Sequence, residues 1–313
     1  MPTHLKEQNS TTPVPLNYVQ RATADNTRAA YQRDVRHFEC WGGQLPADTA
    51  TIVRYLHEHA QSLNPRTLQR RITALRLFHT SQGFIDPTAH PLVSKRLQGI
   101  QKTHGRPRVQ APALRLEQLQ QAIEFLGSSD DLTSARDQCL LSLGFYGALR
   151  GSELIMIHVE HVEFLDKGLR ICIPRSKTDR INDGQQVFLP TLGSCNRTCP
   201  ISLTRQWLEE SAIQTGPLFP SKKQGQGDRI VPISKSGLNR LLKSVARECG
   251  WVQPQAYSSH SLRRGLATSA SAAGASVRSI MKQGRWQSEK TVLQYVEEGQ
   301  AFDDNAVNAL FTK

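Results

Sequence analysis

The chain has 313 residues, enough for about two domains of ordinary size, and with 38% hydrophobic and 21% charged residues it is not a disordered chain. A net charge of +12 and a pI of about 9.7 point to a polyanionic partner, nucleic acid before others. Residues 1–110 hold 15 Lys and Arg against 7 Asp and Glu, and the remainder 24 against 20, so the N-terminal third reads as an electrostatic grip.

Met1 to Tyr18 is polar, carries Pro2, Pro13 and Pro15, and is read as a flexible tail (1–18) rather than a signal peptide. A first helix is predicted from Asp25 to Trp41, where Tyr31, Val35, Phe38 and Trp41 step by 4, 3 and 3 along one face. A second covers Asp48 to Gln61. A third starts at Pro65, a residue suited to a first helical turn, and its Leu68, Ile72, Leu75 and Phe78 repeat the step. Arg66, Arg70, Arg71 and Arg76 fall between those positions and are expected to project away from most of the stripe. A fourth helix over Pro91 to Lys102 completes an all-helical domain at 19–103. The basic stretch His104 to Ala113, broken by Gly105, Pro107 and Pro112, reads as an interdomain linker (104–113) that contains Arg106 and Arg108.

The second domain is placed at 114–313. Helices are predicted at 116–127 and 132–148, and then the period changes. Val159–Leu165, Gly168–Pro174 and Gln185–Pro190 are β-rich and separated by turns, which reads as a small antiparallel sheet. Helices return at 200–214, 235–249, 260–273, 276–283 and 288–297, with a last short amphipathic one from Asp304 to Phe311. The fold class is therefore mainly α with a small antiparallel sheet (α+β). No run of 18 apolar residues is present, so no membrane span is expected. The six cysteines are scattered and read as reduced thiols. Cys195 and Cys199 lack a second Cys or His pair at zinc-finger spacing, and no GxxxxGK[ST] loop occurs, so neither a metal nor a nucleotide cofactor is expected.

Four short stretches hold residues suited to a phosphate. In Gly147-Ala-Leu-Arg150-Gly-Ser-Glu153 an arginine follows an apolar helix and has an acid three residues on, within reach of it. In Ser259-His260-Ser-Leu-Arg263-Arg264 a His and an Arg share a helix face; the guanidinium fork suits two phosphate oxygens and imidazole moves protons near neutral pH. Gly284-Arg-Trp286 supplies an indole N–H, and Tyr295 follows nine residues later. Lys177 lies in the turn between the second and third strands, where it could reach a DNA groove. Taken alone, each reads first as an ordinary salt bridge, cap, core tyrosine or solvated lysine.

In this order and spacing, Arg150, Lys177, His260, Arg263, Trp286 and Tyr295 resemble the active-site signature of the tyrosine recombinases, the phage integrase family, over nearly the whole chain. The resemblance implies a core-binding domain at 19–103 and a catalytic domain at 114–313, without an extra N-terminal arm-binding domain. Trp286, where many members have His, makes the layout similar to that of Cre recombinase. Two departures stand out: Arg285 separates Gly284 from Trp286, read as a local change before the helix, and Arg264 doubles the arginine.

The resemblance implies site-specific cleavage and rejoining of DNA through a 3′-phosphotyrosine on Tyr295, without cofactor. Arg150, Arg263, His260 and Trp286 would hold the phosphate, Lys177 would be general acid, His260 base, and Glu153 would orient Arg150 or His260. The implied partners are double-stranded DNA in the bacterial cytoplasm and further copies of the chain in a tetrameric synapse, with Asp304–Phe311 docking on a neighbour. Candidate DNA contacts are Arg66, Arg70, Arg71, Arg106, Arg108, Arg240 and Lys243. A type IB topoisomerase, which shares the constellation, and a non-catalytic DNA-binding protein are the alternative readings.

Overall fold

The computed structural model describes residues 25–107, 109–174, 184–193, 196–222, 230–299 and 310, and the chain divides into two compact units between Val109 and Gln110. Among the described residues are twelve α-helices and five strands.

The first unit is helical: α1 (Asp25–Cys40), α2 (Thr49–Glu58), α3 (Pro65–Ser81) and α4 (Pro91–His104). Polar residues set the starts. The Asp48 carboxylate accepts from the Thr51 N–H at 2.8 Å, and the Asn64 side chain from Arg66 N–H at 2.9 Å with Pro65 next in the first turn. Phe38, Ile52, Tyr55, Leu56, Leu68, Ile72, Leu75, Val93, Leu97 and Ile100 form the core. On α1 the inward face also holds Asp34, only 2% exposed. A buried carboxylate needs cations. Arg70 donates to it through Nε at 2.7 Å and Nη2 at 2.8 Å, and the Arg71 Nε lies 3.6 Å away.

The second unit is built around α6 (Leu132–Tyr146), whose residues from Ser134 to Phe145 are buried almost without a break except at Arg136, so it has no solvent face and no amphipathic signature. α5 (Leu116–Leu126) and α8 (Pro200–Ser211) pack on it. A three-stranded antiparallel sheet runs β1 (Val162–Leu165), β2 (Gly168–Ile173), β3 (Gln185–Pro190), with Leu165 opposite Gly168 across a two-residue turn. Leu169, Ile171, Ile173, Val187 and Leu189 give its buried face. Three edges differ from expectation. Val159–His161 is a 3-10 turn, so the first strand starts at Val162. α6 stops at Tyr146 because Ala148 turns left-handed (φ 43°), and α8 stops at Ser211 because Ala212 does the same (φ 53°). A second, two-stranded sheet, β4 (Pro220–Lys222) against β5 (Ile230–Pro232), pairs Pro220 with Pro232 at one end of its register and has no alternating pattern that would announce it.

The remaining helices are the short α7 (Gly151–Leu154), α9 (Lys235–Glu248), α10 (Ser259–Ala272), α11 (Val277–Gly284) and α12 (Glu289–Gly299). The chain from Ala111 is docked along α10: Arg264 donates to the Ala111 carbonyl at 2.8 Å, the Leu114 N–H to Ser261 O at 3.0 Å, and Leu114 is fully buried. Among the described residues, no helix is long and apolar enough to cross a membrane. The expected tail 1–18 lies outside the described residues, as does the predicted helix Asp304–Phe311 apart from Leu310.

Candidate active site

α7, α10, α12 and the turn after α11 bring Arg150, Glu153, Arg263, Trp286 and Tyr295 together. The left-handed Ala148 swings the chain out of α6 so that Arg150 becomes the N-cap of α7. Glu153, three residues on, accepts the Arg150 N–H at 2.9 Å with Oε2 and the Arg150 Nη1 at 2.6 Å with Oε1. The acid therefore fixes both ends of the arginine. Gly151 lets this turn press on the start of α10: a Cβ there would lie 2.4 Å from Ser259 Oγ.

α10 carries an exposed His260 in its otherwise buried first turn, and Arg263 one turn later, buried. The Arg263 Nη1 donates to the Ala148 carbonyl, so the left-handed residue that releases Arg150 also receives the second arginine. The Arg263 guanidinium carbon stands 4.1 Å from the centroid of the Trp286 ring, a cation–π stack. Trp286 follows a turn at the end of α11 in which Arg285 takes the left-handed position (φ 56°), the Trp286 N–H returns to Met281 O at 3.0 Å and the Arg285 N–H to Lys282 O at 3.3 Å. Glycine usually fills that position; here the preceding Gly284 is needed instead, since a Cβ on it would sit 1.8 Å from the indole.

Tyr295 on α12 lies 6.0 Å from Trp286 between ring centroids, partly exposed, and the Arg264 guanidinium stands 5.6 Å from its ring centroid. Ala267, Ile280 and Val292 form the small core beneath it.

Arg285, which the sequence reading leaves without a role, is part of this cluster. Its Nη2 donates to Glu153 Oε2 at 2.8 Å, with its side chain only 9% exposed. The Gly284-Arg-Trp286 spacing was a visible anomaly, but nothing in it says that the arginine turns inward. The carboxylate thus binds both Arg150 and Arg285.

The electrostatics follow from crowding. Burial, then Arg150 and Arg285, push Arg263 down to about 9, with Glu153 and Tyr295 opposing. Burial pushes the Glu153 carboxyl up, but Arg285 first and then the hydrogen bonds from Arg150 outweigh it and hold it below its ordinary value. Arg150, Arg263 and Arg285 bring three positive charges to one carboxylate, an arrangement that favours an incoming anion.

Lys177 and Arg108 lie outside the described residues. Of the other candidate DNA contacts, Arg66, Arg106 and Arg240 are exposed and Lys243 is half-buried. Arg70 keeps half its surface exposed while clamping Asp34. Arg71 corrects the expectation that it projects outward: it is 11% exposed, and its Nη1 donates to the Tyr55 hydroxyl at 2.9 Å and meets the His37 ring at 2.8 Å. At 100° per residue it flanks the Leu68–Ile72 stripe, and the buried Asp34 draws it in. Among the described residues no group of His, Cys, Asp and Glu is arranged to hold a metal.

Residues 112–301 match the phage integrase family, and residues 16–81 match the phage integrase N-terminal SAM-like domain. The chain is 32% identical to an integrase/recombinase XerD homolog of Selenomonas ruminantium, over 94% of this chain and 88% of that protein. It is 27% identical to the tyrosine recombinase XerC of Xylella fastidiosa, over 74% and 73%. The Tn1549 transposon integrase, solved in complex with transposon right end DNA, superposes with a TM-score of 0.61 at 15% identity, over 94% of this chain and 96% of that one. A lambda integrase dimer bound to a COC′ core site gives the same TM-score at 15% identity, over 92% and 76%. On the match over most of its length, the chain belongs to the phage integrase family, the tyrosine recombinases.

Proposed function

We propose that this recombinase cuts and rejoins duplex DNA at a specific site through a covalent 3′-phosphotyrosine on Tyr295. The observation that carries the reading is the convergence of Arg150 and Arg263 beside Glu153 with Trp286 stacked on Arg263 and Tyr295 next to Trp286. An excess of buried positive charge suits a phosphodiester whose non-bridging oxygens gain charge as phosphorus becomes five-coordinate.

In the proposed step the phenolic oxygen of Tyr295 attacks phosphorus and its proton passes to His260. The bond from phosphorus to the 5′ oxygen breaks, and that oxygen takes a proton from Lys177. Arg150, Arg263 and the Trp286 N–H hold the non-bridging oxygens. The phosphotyrosine conserves the ester bond, so a 5′-hydroxyl of a second strand reverses the chemistry and reseals without ATP. Written this way the reaction balances with no metal, and EDTA is expected to leave adduct formation unchanged; loss of activity on chelation would count against it.

Arg66, Arg70, Arg106, Arg108, Arg240 and Lys243 supply phosphate contacts, which makes affinity fall steeply with salt. Several copies act together on cytoplasmic DNA as a tetrameric synapse, with Asp304–Phe311 of one copy docking on the next. The deciding test is a nicked duplex that traps the cleaved state: wild type becomes covalently joined to it, and Tyr295→Phe binds it but forms no adduct. Covalent trapping of the Phe variant would remove Tyr295 from the chemistry.

A further inference from the structure

Arg285 takes no part in the mechanism just described, yet it is among the most constrained residues of the site. It holds a left-handed backbone conformation that an arginine rarely adopts, buries its side chain, and directs Nη2 at Glu153 Oε2 at 2.8 Å. Its Nη1 lies 3.4 Å from the Gly147 carbonyl, and its Nε has no hydrogen-bond partner among the described residues. Such a cost persists only where the surroundings impose it.

The Glu153 carboxylate explains the arrangement. One oxygen is used by the Arg150 guanidinium, and the other by the Arg150 N–H and Arg285 together. If Glu153 met Arg150 alone, the acid that orients the guanidinium would also cancel its charge, since a buried pair of opposite unit charges is close to neutral from outside. A second cation on the same carboxylate removes that conflict.

We propose that Arg285 is a positioning residue for strand cleavage: it neutralises Glu153, so that the carboxylate fixes Arg150 while Arg150 keeps a full positive charge for the phosphate. The inference rests on the assignment of Arg150 and Tyr295 under the proposed function. It separates Arg285 from a mere turn former, because glycine makes that turn better than arginine does.

The test is single-turnover adduct formation on a nicked duplex carrying the sequence to which wild-type protein becomes covalently joined in cells, with equilibrium binding to the same duplex. Arg285→Gly is expected to keep the turn and thermal stability, to bind DNA within about threefold of wild type, and to form adduct on the order of 10²-fold more slowly. Arg285→Lys, which restores the charge, is expected to regain part of the rate. Adding Glu153→Gln to Arg285→Gly removes the anion that cancels Arg150 and is expected to recover about tenfold. Cleavage by Arg285→Gly within about threefold of wild type would overturn the inference, as would a double variant slowed by the product of the two single losses. Failure of wild type itself to form an adduct would instead overturn the proposed function, and this inference with it.

Discussion

Asp34 in the first unit and Glu153 in the second are both buried carboxylates that each bind two arginines, Arg70 and Arg71 in one case and Arg150 and Arg285 in the other. Around Asp34 the arrangement is closed. Arg71 has the Tyr55 hydroxyl and the His37 ring as further partners, Arg70 opens to solvent, and all of it rests on regular helices. Around Glu153 a third guanidinium, Arg263, has been brought in against a carbonyl and an indole face, and two left-handed residues, Ala148 and Arg285, hold the geometry. A buried ion pair is therefore no mark of a site by itself. Surplus like charge held in place by strained backbone is.

The strongest way to break this comparison is to remove one charged side chain from each cluster. Arg263→Ala is expected to slow adduct formation by 10²–10³-fold or more, the cost of one transition-state donor, with only a small loss of stability to urea because a repelled charge goes with it. Asp34→Ala is expected to do the reverse. It leaves Arg71 in the interior without its counter-charge and costs roughly 3 kcal/mol of unfolding free energy, while folded protein cleaves at the wild-type rate. Equal stability losses in the two variants, read from urea midpoints, would erase the distinction between the clusters.

An anion offers a gentler probe. Inorganic phosphate at ten times its dissociation constant adds about 1.4 kcal/mol to a protein that binds it only when folded, which is a few degrees of melting temperature for a unit of this size. Wild type is expected to gain that increment over Arg263→Ala in the same buffer. Identical phosphate responses would mean that the surplus charge does not attract an anion.

How far the sequence reveals these two clusters follows from the physics of each signal. The helices of the first unit are legible because Phe38, Leu68, Ile72 and Leu75 obey a periodicity that burial enforces. Arg150, Glu153, Arg263, Trp286 and Tyr295, which lie together in the structure, are picked out in the sequence by their order and spacing, through the resemblance to the tyrosine recombinases. The inward turn of Arg71 is not, since it depends on Asp34 from another helix, 37 residues earlier. Nor is Arg285: its left-handed backbone and its pairing with Glu153, 132 residues away, are products of packing that no local pattern encodes. β4 and β5 escape for the opposite reason, being three residues long with a proline in each.

The smallest expected effect concerns acid. Glu153 titrates below its ordinary value because Arg285 first, and then the Arg150 hydrogen bonds, outweigh its burial. Below the ordinary carboxylate range of about 4.3 the unfolded chain takes up the proton more readily than the folded one. The carboxylate's contribution to stability is then fully present above that range and fades as the pH falls toward the folded value. Wild type should lose its advantage over Glu153→Gln across that acid window, as followed by urea unfolding at a series of pH values. In Arg285→Gly the largest influence lowering the titration is gone while burial remains, so the same advantage should be smaller and should fade at higher pH. If wild type and Arg285→Gly lost it over the same window, Glu153 would be held by Arg150 alone, and its cluster would be as closed as the one around Asp34.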